Sequence, residues 1–196
     1  KEGDPEAMLE LARRHETGWG VRWDPAEAFK WAEGAAKKNE PRACVLLAFY
    51  CMSHFGTNRV DIQRAAQLEE ADDALKKVRQ MADDGDAASL TILGLRNKPR
   101  RAYAGQPRFF GQPKLAYRQF RFAADQGDVQ AQHWLGIMEA KGWGTERNIE
   151  HAARWIAVAA EQGQALSISQ LGFMHIQSLG VPENPDEGVR LIREAA

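Results

Sequence analysis

The chain repeats itself. Ala131-Gln132-His133-Trp134-Leu135-Gly136 returns 36 residues later as Ser167-Ile168-Ser169-Gln170-Leu171-Gly172. Ala123-Ala124-Asp125-Gln126-Gly127 returns, again 36 on, as Ala159-Ala160-Glu161-Gln162-Gly163. A leucine followed by a small residue stands at Leu11, Leu47, Leu93, Leu135 and Leu171, with spacings of 36, 46, 42 and 36. These markers divide the chain into units of about 4–39, 40–85, 86–127, 128–163 and 164–196. A fixed period of this size belongs to stacked supersecondary repeats, in which one unit cannot bury its apolar face and its neighbours complete the core.

Each unit reads as helix, turn, helix. In the first, Ala7, Leu11, Ala12 and His15 follow the helical period. Glycine turns follow, as Gly18-Trp19-Gly20, Gly142-Trp143-Gly144 or Gly180. The second helix opens on Asp24-Pro25-Ala26-Glu27 or Asn184-Pro185-Asp186-Glu187: an N-cap, a proline at the first helical position and a carboxylate at the third. Asn148 takes the same capping role in the fourth unit. The second helices end near Asn39, Gly85, Gly127 and Gly163, residues that tolerate a left-handed C′ position. Small residues at Ala12, Ala48, Gly94, Gly136 and Gly172 permit close helix approach. No stretch sustains strand alternation. The expected fold class is all-α, an α-α superhelix (solenoid) of about five helical hairpins.

Composition excludes more than it selects. The 196 residues are 44% hydrophobic, with 26 basic against 27 acidic side chains, and so balanced a charge gives no reason to expect nucleic acid or membrane as an obligatory partner of the whole chain. No apolar run reaches the ~20 residues of a transmembrane helix. Cys44 and Cys51, seven apart on one helix, lie roughly 10 Å apart, beyond the roughly 7 Å a disulfide spans. Gly3-Asp4-Pro5-Glu6-Ala7 resembles the junction at Gly127-Asp128-Val129-Gln130-Ala131, and Ala195-Ala196 starts a third Ala-Ala motif, so a fragment of a longer protein is expected.

The motif A-x3-L-G, the G-x-G turn, the capped A-x2-W helix and the A-A-x-Q-G end resemble the Sel-1-like repeat, a relative of the tetratricopeptide repeat. The family's usual aromatic four residues after the leucine is replaced by His15, Cys51, Asn97, Glu139 and His175. The resemblance implies right-handed stacking with the first helices on the concave side. It also implies a scaffold or adaptor role, often in bacterial envelope, secretion or signalling systems, including immunity proteins that neutralise secreted effectors. The compartment it implies is the bacterial periplasm or envelope, with the cytoplasm as the alternative.

No catalytic motif is present: no G-x-S-x-G, S-x-x-K, H-E-x-x-H, phosphate loop or C-x-x-C. Cys51 and His54 stand one turn apart, but no second pair of ligands lies near them in sequence to complete a structural zinc site. No catalytic, cofactor or metal residues are therefore assigned, and an enzyme or small-ligand binder in the groove is the alternative reading.

Three features point to a partner protein. Placed by the resemblance, the inner face of the first helices carries Arg13, Phe49, Met52, Leu95, His133, Ile137, Phe173 and Ile176. These either pack between neighbouring helices or line an open apolar groove. Between the turn glycines stand residues such as Trp19 and Trp143, which either form an exposed ladder or tuck over their own hairpin. The third unit carries a Pro- and Gly-rich insertion over 97–113, expected to be a loop, within the acid-free basic stretch 96–121. Its Arg100, Arg101, Arg108, Phe109 and Phe110 suit an acidic protein surface, with internal charge pairing, nucleic acid or anionic lipid as alternatives. The expectation is a non-enzymatic scaffold that holds another protein in its concave groove.

Overall fold

The computed structural model describes residues 3–53, 55–56, 61–70, 73–101 and 109–196. The chain forms two compact units, Lys1–Arg96 and Asn97–Ala196. In the first, α1 (Pro5–Thr17) pairs with α2 (Pro25–Ala36), and α3 (Pro41–Ser53) packs against α2, α4 (Ile62–Glu70) and α5 (Ala74–Asp83). α6 (Ala87–Asn97) ends at the boundary. The second unit begins with a two-residue antiparallel ladder, β1 (Arg100–Arg101) on β2 (Phe109–Phe110). α7 (Pro113–Asp125) follows, then the hairpins α8 (Val129–Lys141) with α9 (Ile149–Glu161) and α10 (Ala165–Ile176) with α11 (Pro185–Glu194). The class is all-α, a repeat stack of the solenoid type.

Local chemistry starts the second helices where the sequence announces them. The Asp24 carboxylate accepts the N–H groups of Ala26 and Glu27, and the Asn148 and Asn184 side chains accept those of His151 and Glu187. Each cap satisfies donors that a helix start leaves unpaired, worth about 1 kcal/mol. Asn39, Gly85, Gly127 and Gly163 all adopt positive φ at the helix ends.

One hydrogen bond recurs in all five sequence units. The residue capping the second helix donates its backbone N–H to the carbonyl four residues after the repeat leucine. The bonds run from Asp24 to His15, Asp61 to Cys51, Gln112 to Asn97, Asn148 to Glu139 and Asn184 to His175, all between 2.8 and 3.0 Å. The Gln112–Asn97 bond closes the long insertion as tightly as the short turns, so the extra residues leave the hairpin's base unchanged.

Close approach dictates the small residues. A Cβ on Gly172 would stand 2.7 Å from the Gly188 carbonyl oxygen, and one on Gly188 would stand 2.6 Å from that of Gly172, so α10 and α11 cross with backbones almost touching. Gly144 combines φ +78° with a neighbouring Pro113 carbonyl that would lie 2.2 Å from any Cβ. In the second unit, Ala153, Ile156 and Met174 form a buried cluster backed by Ile137, Ile149, Leu171, Leu179 and Val181. In the first, Val45, Leu46, Leu47, Tyr50 and Val78 are wholly or almost wholly buried.

Candidate functional site

The inner-face residues divide sharply. Phe49 is 4% exposed, Leu95 0% and His133 7%, so none of the three can line an open groove in this conformation. The expectation of a continuous apolar stripe is corrected there. The nine successive residues Ala43–Cys51 of α3 are all buried, which an amphipathic helix with one free face cannot show. Neighbouring first helices are close enough for side chains to bond across them: Tyr50 Oη on α3 donates to Glu16 on α1 (2.8 Å), and His133 Nδ1 on α8 donates to Ser167 Oγ on α10 (2.8 Å). Arg13, Met52, Ile137 and Ile176 are half-buried. Phe173, by contrast, is 48% exposed, and Leu166, two helical turns before it on α10, is 37% exposed.

The turn aromatics tuck rather than project. Trp19 is half-buried beneath the Arg14 guanidinium, 4.8 Å from its ring centroid, and Phe55 lies 4.6 Å from the Tyr50 ring. Trp143 is half-buried, and Leu179 joins the second unit's apolar cluster. Of the insertion, only the backbone ladder Arg100↔Phe110 and Arg101↔Phe109 is described. Arg108, the side chains of Arg100, Arg101, Phe109 and Phe110, and His54 beside Cys51 lie outside the described residues. Cys44 and Cys51 are buried free thiols.

Where the family aromatic is missing, polar side chains pin the hairpin base. His15 donates from Nδ1 to the Arg22 carbonyl (3.2 Å) and His175 to that of Pro182 (3.1 Å), the same seven-residue reach in each. Asn97 donates to the Gln119 side chain (3.0 Å). Glu139, 3% exposed, accepts from Tyr117 Oη (3.1 Å) and His151 Nδ1 (2.5 Å). Sequence reasoning marked Glu139 only as a departure. Its partners lie on two other helices and have no sequence signal.

The electrostatics are those of interior seams. Burial, then the charge and hydrogen bond of Glu16, hold the Tyr50 hydroxyl well above its ordinary range. Burial, reinforced by the Lys98 cation, lowers His133 from 6.5 to about 4, so the ring is neutral near pH 7. Neutral His133 orients Ser167, whose hydroxyl donates to Gln164 Oε1 at 2.5 Å. Ser167 and Gln164 are 0% exposed, so this chain of bonds faces protein and not substrate. Among the described residues no three His, Cys, Asp or Glu side chains are placed to hold a metal ion.

The exposed faces of α7 and α9 also hold residues that the inner-face reasoning passed over. Leu115 and Phe122 on α7 and Val158 on α9 are 38%, 58% and 38% exposed, among exposed Lys114, Arg118 and Arg154. The 36-residue offset applied to the second helices would have exposed the pattern, because Arg118 pairs with Arg154 and Phe122 with Val158 at that spacing.

A family model described as Sel1 repeat matches residues 5–40, 41–68, 129–164 and 165–196, more than half of the chain. No curated protein matches. Among the solved structures similar to this chain, three cover 98% of it. One is a protective antigen present in uropathogenic Escherichia coli strains that displays an SLR fold, at 26% identity and TM-score 0.53. A Sel1 repeat protein from Oxalobacter formigenes follows at 25% and 0.55, and a putative sel1 repeat protein from Klebsiella pneumoniae at 20% and 0.53, the last bearing on fold alone. The chain spans 38%, 51% and 86% of their respective lengths.

Proposed function

Because this chain belongs to the Sel1 repeat family, whose members generally mediate protein–protein interaction without catalysis, we propose that it is a non-enzymatic scaffold and that α10 presents a partner-binding face. The observation carrying this is the exposure of Phe173 at 48%, with Leu166 beside it, at a repeat position that is buried in Phe49 and Leu95. A helix of the next repeat covers such a face on α1 and α8, as the Glu16–Tyr50 and His133–Ser167 bonds attest. In the proposal a comparable apolar helix covers α10, supplied by the partner, with a further repeat of the same polypeptide as the alternative that the test separates. Ile137 and Ile176 border this face in the proposal. Arg13, Met52, Trp19 and Trp143 are half-buried contributors elsewhere, and Phe49, Leu95 and His133 leave the contact set. Arg100, Arg101, Arg108, Phe109 and Phe110 stay in the proposal as a basic–aromatic contact for an acidic partner surface. The bacterial origin of the two structures at 25% identity or above supports a bacterial setting, and an envelope or secretion role, with neutralising an effector as the narrower version, stays in the proposal on the family resemblance.

The test is site-specific photo-crosslinking in lysate of the native host. A photoreactive phenylalanine at position 173 is expected to capture a discrete protein that Leu166→Glu abolishes. The same probe at Val189 on α11 is the control. Equal capture at both positions, capture insensitive to Leu166→Glu, or a crosslink formed within the same full-length polypeptide would remove α10 as the binding face.

A further inference from the structure

We propose that the outer face of α7 and α9 is a second binding surface, recognising an acidic segment of a partner protein that also carries bulky apolar residues. The surface is written twice, one repeat apart. Arg118 and Arg154 each stand six residues after the capping residue of their helix, Gln112 and Asn148. Phe122 and Val158 stand ten after it. On each helix the arginine and the apolar residue are four apart and share one face. Both helices pack on α8, and the Arg121 guanidinium of α7 reaches to 5.8 Å from the Trp155 ring centroid of α9. Two rows result, each a cation followed by an apolar side chain, with Lys114 and Leu115 extending the first.

The cations are available. Arg14, Arg121 and Arg190 are held by carboxylates on their own helices. Lys114, Arg118 and Arg154 are exposed and have no ion-pair or hydrogen-bond partner among the described residues. Arg118 and Lys114 line a shallow concavity with Pro113 and Leu115. Arg154 lines another with Ala153, Ala157, Val181 and Pro182, where Glu150 also lies. Three cations with no partner among the described residues, beside three apolar side chains, complement carboxylates interleaved with apolar residues.

A protein segment fits better than a lipid plane or a nucleic acid. Asp125, Glu150 and Glu161 border the rows and would repel a continuous sheet or string of phosphates. A peptide can place its carboxylates one at a time against Arg118 and Arg154 and seat apolar residues on Phe122 and Val158. This surface is independent of the α10 reading.

The test is selection of a random peptide display library on the purified chain, repeated on Arg118→Glu/Arg154→Glu and on Phe122→Ser. Thermal melts check that each variant is folded, and Arg118→Ala/Arg154→Ala replaces the charge reversal if that variant is not. The chain is expected to enrich sequences rich in Asp and Glu with aromatic or branched residues. A selected peptide should lose at least tenfold in affinity on the double variant and several-fold on Phe122→Ser, and its salt dependence should flatten without the arginines. Phe173→Glu should leave the same peptide's binding unchanged, which separates this surface from α10. Three outcomes would overturn the proposal: enrichment without acidic character, equal affinity for the double variant, or cosedimentation with phosphatidylglycerol vesicles that depends on Arg118 and Arg154.

Discussion

α3 and α10 are first helices of their repeats in opposite surroundings. Phe49 on α3 is 4% exposed, and Phe173, at the same repeat position on α10, is 48% exposed. Their leucines, Leu47 and Leu171, and their small neighbours, Ala48 and Gly172, match in register, so helix identity does not separate them. The α3 helix is covered by α2, α4 and α5 and bonded to α1 through Tyr50. The α10 helix packs on α9 and α11 and keeps an apolar face toward solvent. In a repeat stack the same side chain is core or surface according to what covers it, and residue type alone does not decide.

The largest expected effect contrasts these two phenylalanines directly. Phe49→Ala should cost about 3–5 kcal/mol, because it empties a filled interior. Phe173→Ala should stay within about 1 kcal/mol. Chemical denaturation of both variants checks this, and similar losses would erase the distinction between covered and open helices.

Acid should attack the seam between α8 and α10. His133 has a folded value of about 4 against an ordinary 6.5, so the folded state disfavours its proton. Its contribution is complete above pH 6.5 and is lost as the pH falls toward 4, amounting to about 3 kcal/mol. Denaturation curves from pH 7 to 4 should steepen for the native chain and flatten for His133→Gln. Parallel curves would place the ring outside the seam's energetics.

The seam between α1 and α3 responds to base instead. Tyr50→Phe removes the donor to buried Glu16 and should cost about 1–3 kcal/mol at neutral pH. The raised Tyr50 value means that the folded state holds its proton more tightly than the unfolded chain. Stability is therefore full below about pH 10 and declines above it, a decline that the phenylalanine variant should lack. Alkaline denaturation followed by circular dichroism measures the difference.

Helix starts should be indifferent to surroundings. Asp24→Ala in the first unit and Asn148→Ala in the second should each cost about 1 kcal/mol, because each removes bonds made within one turn. Unequal losses would show that capping depends on the neighbouring repeats.

Much of the fold was legible because it is local. The N-caps at Asp24, Asn148 and Asn184, the positive-φ ends at Asn39 and Gly127, and the small residues at Gly136 and Gly172 all act within a hairpin. The family model leaves 69–128 unmatched, yet the Gln112–Asn97 bond shows the hairpin-closing geometry in that stretch. The candidate site was less legible. Phe49, Leu95 and His133 have the composition of a groove lining, but burial comes from residues far away in sequence. Glu139 is a similar case, because Tyr117 and His151 reach it from two different helices. Arg118 and Arg154 lay in plain view of the 36-residue offset but outside the face the family resemblance singles out.

By itself, the sequence determined the repeat, the helical hairpins, their starts and stops, and the family, because these depend on spacings within a few turns and on side chains that bond their own backbone. The tertiary structure alone decided which inner-face residues are core, which titrating groups lie in seams, and where apolar and cationic side chains stay open to a partner. Those outcomes depend on area covered by other repeats, a quantity set by how helices pack and absent from any one repeat's sequence.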